Sequence, residues 1–340
     1  MQSKIASILI ISMISVCILP AFSFEISQVK VGASPWAVSV NSATGKIYVT
    51  NSGNDSVSVI DGKTNTIIKN IIVGESPTGV AVNQATNFIY VSKFSSPTVS
   101  VIDGNTDTVT ATIPVKTQPN GIGINEITNQ IYVTNTGSAS VSIIDGKTNS
   151  VTATIPVAAR PTAVSVNPST NIAYVTNSGN DSVSIIDGKT NSIIKTIPVG
   201  SGPTGVSINQ ETNQVYITSS KTAQVFVIDG KTNTITANIT VGAHPDGVSV
   251  DSKSGKTYVA NSGDGTVSVI DGKTNTVSET IPAGTHVYGI AVDSSTGTIY
   301  AGNDSPGIVY VISDGEKSQA ANNDIWNSII QFFIHLFNFK

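Results

Sequence analysis

Apolar and polar positions along this chain repeat with a fixed period of 42 residues. The repeating unit is a short β-like run, Tyr48-Val49-Thr50-Asn51, then a few small residues, then Ser58-Val59-Ile60-Asp61-Gly62-Lys63-Thr64-Asn65. Its tyrosine recurs as Tyr48, Tyr90, Tyr132, Tyr174, Tyr216, Tyr258 and Tyr300. Its aspartate recurs as Asp61, Asp103, Asp145, Asp187, Asp229 and Asp271. Pro35, Pro77, Pro119, Pro161, Pro203 and Pro245 keep the same register. A period of this length marks an array or a propeller.

Each repeat divides into four strand-like runs. In the first, Trp36 to Asn41 is predicted as strand A, Lys46 to Thr50 as B, Ser56 to Asp61 as C and Thr66 to Val73 as D. The breaks between them are rich in Asn, Asp and Gly. These residues accept φ > 0 or bond their own backbone, so they suit tight hairpins. Four antiparallel strands per repeat make one propeller blade. Strand A alternates small with bulky residues (Ala37, Val38, Ser39, Val40), as expected of a sheet covered on both faces. A lone blade cannot bury those faces, so stability has to come from stacking.

The ends predict closure. The seventh repeat runs through Tyr300 and Ile308 to Ser313 and then lacks a strand D. The missing strand stands at the start: Val29, Val31 and Gly32 match Ile71, Val73 and Gly74 when shifted by one period. An N-terminal strand paired with the last blade closes the ring and removes an aggregation-prone edge. The expected fold is therefore all-β, a seven-bladed β-propeller over residues 24–313, with a short C-terminal amphipathic helix after it.

With Tyr-Val-Thr-Asn at 48–51, 132–135 and 174–177 and repeated VIDGKTNT and TIPVG runs, the chain resembles the YVTN-repeat β-propeller family. That family includes archaeal surface-layer-type proteins and exported bacterial propellers. The resemblance spans about residues 24–313 and implies an extracytoplasmic seven-bladed propeller. It implies little about chemistry, because one fold hosts many functions. The sequence departs from the pattern at Lys93 and Ser219, which replace the Asn, and at Ser313, which replaces the turn Asp. These departures are expected to weaken single turns.

The flanks give an address. Residues 1–23 read as a secretory signal: Lys4, an apolar run from Ile5 to Leu19, then Ala21 and Ser23 before Phe24. An uncleaved N-terminal anchor is the alternative. Residues 314–324 form a polar linker. Residues 325–340 hold Trp326, Phe332, Phe333, Phe337 and Phe339, with Asn327, Gln331, His335 and Asn338 on one narrow stripe. A helix of that length spans roughly 24 Å, short of the ~30 Å needed to cross a bilayer. From Ile325 to Phe339 it either lies in a membrane surface, docks a partner, or packs against the outside of the ring.

Composition narrows the chemistry. Charged residues make up 12% of the chain and the formal charge is −4, with no Lys/Arg run to track phosphates, so nucleic acid is not an expected partner. Cys17, the single cysteine, lies in the signal segment, which leaves the mature chain no disulfide, thiol nucleophile or thiolate metal site. No G-x-S-x-G, HExxH or P-loop occurs, and no cofactor is expected. The IDG aspartates are read as Asx turns, since a calcium loop needs several carboxylates at alternate positions.

Function is sought where repeats differ. Beside the conserved proline, the loops from D to A carry Ser34, Ser76, Gln118, Arg160, Gly202, His244 and His286 before it. After it they carry Trp36, Thr78, Asn120, Thr162, Thr204, Asp246 and Tyr288. Trp36, Asn120, Arg160, His244, Asp246, His286 and Tyr288 are the candidate ligand-binding rim of a central channel. His244, Asp246 and His286 are a candidate metal set. Asn54, Asn180, Asn238 and Asn303 open glycosylation sequons, a weak signal in a Ser/Thr-rich chain. The leading expectation is a non-enzymatic, cell-surface binding or structural module, its partner an envelope protein or glycan. The alternative is a metal-dependent lyase or hydrolase at the channel mouth, by fold analogy with gluconolactonase-like and streptogramin-lyase propellers.

Overall fold

The computed structural model describes residues 24–313. The signal segment expected at 1–23, the linker expected at 314–324 and the helix expected at 325–340 lie outside the described residues. Within them, 28 strands form seven four-stranded sheets. Blade 1 consists of Pro35–Asn41, Lys46–Asn51, Ser56–Asp61 and Thr66–Ile72 as strands A to D, antiparallel in sequence order. Blades 2 to 6 repeat it. Blade 7 takes strands A to C from Val287–Asp293, Thr298–Asn303 and Ile308–Ser313, and its strand D from Glu25–Lys30. The N-terminal strand pairs antiparallel from Glu25 opposite Ser313 to Lys30 opposite Ile308. The protein is a seven-bladed β-propeller, closed as the sequence predicts.

Local chemistry explains why each blade turns where it does. In the C–D turn, Asp61 Oδ1 accepts the N–H of Lys63 at 2.8 Å, and Asp103, Asp145, Asp187, Asp229 and Asp271 do the same. These are the Asx turns read from the sequence. The fourth residue of the turn adopts the left-handed region, as at Asn65 with φ 54°, which Asn tolerates better than most residues. The glycine of IDG is required for space instead. A Cβ on Gly62 would lie 2.8 Å from the Gly45 carbonyl oxygen and 3.0 Å from Tyr300 Oη.

The A–B turns add ties between blades. Asn41, Asn83, Asn125 and Asn167 each donate Nδ2–H to the side chain of Asn87, Asn129, Asn171 or Asn213 on the next blade, at 2.6–2.8 Å. The acceptor position is left-handed throughout, and in the other three blades Gly45, Gly255 and Gly297 occupy it. Backbone conformation selects Asn or Gly there, and Asn adds a hydrogen bond.

The core is distributed around the ring. Strands B and C are almost wholly buried and strand D is mostly exposed. Each apolar layer joins two blades. One packs Tyr48, Val57, Val59 and Ile71 against Val80, Ile89, Val91 and Ile102 of the next sheet. Another packs Val29, Tyr300, Val309 and Val311 against Val38, Ile47, Val49 and Ile60, sealing blade 7 onto blade 1. All seven tyrosines are fully buried wedges. Tyr48 Oη reaches Asp107 Oδ1 at 3.4 Å, and Tyr174 Oη reaches Asn233 Oδ1 at 3.1 Å, each on the following blade. In blade 2 the YVTN asparagine is Lys93, yet the turn persists, because Phe94 N–H still bonds the Ser76 carbonyl at 3.0 Å.

Candidate functional site

The seven A strands surround a central channel of about 640 Å³. That is within the usual range for a small-molecule site. Each A strand opens with a one-residue bulge. In blade 1, Pro35 pairs with Asn51 but Val38 pairs with Val49, and the same slip occurs in every blade. A bulge re-aims the side chains it contains. Here the residue after the proline is placed at one mouth of the channel, where Trp36, Thr78, Asn120, Thr162, Thr204, Asp246 and Tyr288 form a collar. The opposite mouth carries Gln84, Glu126, Pro168 and Gln210. The strands come close because small residues follow the collar. A Cβ on Gly121 would lie 2.6 Å from the Thr162 carbonyl oxygen of the next blade.

Hydroxyl groups lace this collar together. The third residue of YVTN donates to the collar carbonyl of the following blade: Thr50 to Thr78 at 2.8 Å, Thr134 to Thr162 at 3.1 Å, Thr176 to Thr204 at 2.9 Å and Thr218 to Asp246 at 2.7 Å. Ser92 does the same to Asn120. The series stops at two junctions. Ala260 precedes Tyr288 and Gly302 precedes Trp36, and neither has a hydroxyl to give. At those two junctions the collar holds aromatic rings instead. Trp36 and Tyr288 stack with centroids 5.0 Å apart and planes 17° from parallel.

This gap is testable. A Cβ on Gly302 would meet nothing closer than Val38 Cγ2 at 3.5 Å, so there is room for one. Gly302→Thr is expected to restore the bridge to Trp36 and stabilise the ring by ~0.5–1.5 kcal/mol. The denaturation midpoint should rise, and rise further than with Gly302→Val, which adds strand propensity without a hydroxyl. Equal shifts would assign the gain to propensity alone.

Asp246 is the only acid in the collar. Burial pushes its carboxyl up from the ordinary range, while the Ser262 hydroxyl and nearby His244 pull it back in part. Tyr288 beside it is also raised, by burial first and then by Asp246 and Asp304. The Thr78, Thr162 and Thr204 hydroxyls already face neighbours within the ring: Pro119 O at 3.3 Å, Pro203 O at 3.3 Å and Pro245 O at 3.0 Å.

The structure divides the seven rim residues expected from the sequence. Trp36, Asn120, Asp246 and Tyr288 line the channel, whereas Arg160, His244 and His286 do not. The position before the first residue of strand A, a proline in six blades and Val287 in the seventh, is left-handed in all seven, with φ between 48° and 67°. Its carbonyl accepts the N–H of the B–C loop, as His244 does from Ser262 at 3.0 Å and His286 from Asp304 at 3.2 Å. That backbone clamp leaves the Arg160, His244 and His286 side chains exposed on the outer loop. The expected metal set is accordingly not assembled. Among the described residues no group of three or more His, Cys, Asp or Glu is placed to hold a metal ion. One sequon also fails: Asn303 is 1% exposed and its Nδ2–H bonds the Ala283 carbonyl at 3.4 Å, so a glycan there has no outlet. Asn54, Asn180 and Asn238 are exposed.

Sequence reasoning missed Glu126 at the far mouth and the interrupted hydroxyl series. The signal for the latter was present, because Tyr258-Val259-Ala260-Asn261 and Tyr300-Ala301-Gly302-Asn303 lack the threonine.

Fold and channel place the chain among the β-propellers. More narrowly, residues 125–256 match the family model described as YNCE-like beta-propeller. No curated protein is matched. Among solved structures, a chain of Kuenenia stuttgartiensis hydrazine synthase is similar at 18% identity with a TM-score of 0.75, covering 84% of this chain and 97% of that one. At that identity the likeness is one of fold.

Proposed function

We propose that this protein is an exported cell-surface propeller of the YVTN-repeat kind, a binding module whose ligand seats at the collared mouth of the channel. One observation carries the reading. In a ring of near-identical blades, the two junctions without a hydroxyl bridge hold a stacked Trp36–Tyr288 pair beside the only collar carboxylate. A purely structural ring has no use for that asymmetry. Aromatic anchors with a few polar groups are what concave binding sites present. The collar threonines already have partners within the ring, so none is placed as an activated nucleophile, and binding is favoured over catalysis. The N-terminal apolar segment and the aromatic tail supply the export and attachment.

Retention on native envelope tests this. Full-length chain is expected to be retained, Trp36→Ala/Tyr288→Ala to lose most of that retention with its melting temperature little changed, and a chain ending at residue 324 to be released more readily. Retention indifferent to the aromatic pair would remove the channel mouth from the function. Retention indifferent to the tail would remove the attachment role.

A further inference from the structure

We infer that the channel mouth recognises an organic ammonium group, a primary or quaternary alkylammonium seated against Trp36 with Asp246 as its counter-charge; this rests on the binding reading above. Three observations select the chemistry. The first is charge. Among the channel-lining residues the charged ones are Asp246 and Glu126, both acidic, one at each mouth, and no Lys, Arg or His joins them. The second is hydrogen-bonding direction. The collar threonines are already engaged with neighbouring backbone carbonyls, so the collar offers acceptors and few free donors. Such a surface disfavours anions and acceptor-rich ligands and suits a donor or a cation. The third is the aromatic face. Trp36 stacks on Tyr288 and yet remains 41% exposed, so part of the indole is accessible to a ligand from the channel mouth. An ammonium over an indole face is attracted by the ring quadrupole, more so where water is partly excluded.

Asp246 accepts from the Ser262 hydroxyl and has His244 nearby, but it is not neutralised by an ion pair. Among the described residues the ion pair formed is Lys46–Asp107, on a different part of the ring, and Asp246 has no cation within bridging distance. Asp304, which like Asp246 acts electrostatically on Tyr288, adds further negative potential there.

Calorimetric titration of the full chain with choline, with butylammonium, and with 3,3-dimethyl-1-butanol as the uncharged isostere of choline tests this. At least one ammonium probe is expected to bind saturably, about tenfold or more tightly than the neutral alcohol, a ratio of the size a partly desolvated cation–π contact produces. Asp246→Asn is expected to weaken ammonium binding about tenfold while leaving the weak binding of the alcohol unchanged. In a Trp326→Phe background, where Trp36 is the remaining tryptophan, the same titration should alter its fluorescence. Failure of both ammonium probes to saturate, equal binding of the alcohol, or indifference to Asp246→Asn overturns the inference. The two proposals fail separately. Envelope retention that needs Trp36 and Tyr288 without any ammonium binding leaves the site and refutes this ligand. Ammonium binding without envelope retention leaves the ligand and refutes the attachment role.

Discussion

Deletion of residues 24–31 is expected to lower the melting temperature by more than about 10 °C and to make the chain aggregate. The strand Glu25–Lys30 contributes six paired residues to blade 7 and buries Val29 in the layer that seals blade 7 to blade 1. At ~1 kcal/mol net per hydrogen-bonded residue, a further ~1.5–3 kcal/mol for the buried Val29, and roughly 1.6 °C per kcal/mol for a ring of this size, the loss passes that threshold. The aggregation has a separate cause. Every other sheet ends on a strand D of mostly exposed residues, such as Thr108–Pro114 and Ser150–Pro156. Without its partner, Ile308–Ser313 becomes the edge instead, and Val309, Val311 and Ile312 on it are buried in the intact ring. A hydrophobic unpaired edge templates further strands. Thermal denaturation and light scattering read both effects, and a synthetic peptide of residues 24–33 should reverse them. An unchanged melting temperature would mean that the ring does not depend on its closing strand.

Alkaline unfolding is expected as one cooperative step between pH 10 and 12, accompanied by the appearance of tyrosinate. Burial pushes Tyr90, Tyr132, Tyr174 and Tyr300 up to about 12. Tyr48 is raised further, by burial first and then by Asp107. An unfolded tyrosine ionises near 10. The folded state therefore holds these protons more tightly than the unfolded state. The stability this represents is fully present below pH 10 and is lost as pH rises through the folded values. Since the phenols are fully buried in inter-blade wedges, ionisation and loss of the ring should coincide. Ultraviolet difference absorbance and circular dichroism over the same titration check this. Tyrosinate appearing near pH 10 with the sheet signal intact would place the wedge tyrosines in contact with solvent.

The fold was legible in the sequence because it is built from interactions that repeat. Asp61 and its counterparts bond their own turn, Asn65 and its counterparts take a left-handed backbone, and Gly62 makes room for Tyr300. Each is a short-range rule written again after 42 residues, so blade count and strand order could be counted directly. The candidate site was half legible. The loop between strands D and A announced itself by its variability, but the two varying positions beside each proline looked equivalent. They are not equivalent, because the position before the start of strand A is turned outward by a left-handed backbone and the position after it inward by a bulge.

Period, chirality-tolerant turn residues and a strand missing from one end but present at the other were enough for the sequence alone to determine seven sheets and the way they close. Only the tertiary structure decided which side chains meet. Trp36 and Tyr288 lie near opposite ends of the described chain, and they touch because closure brings blade 7 against blade 1. Arg160, His244 and His286 are kept out of the channel by the backbone on which they sit. Pairing patterns are local and additive along a repeat, whereas the direction of a side chain depends on one dihedral and on what the neighbouring blade places beside it.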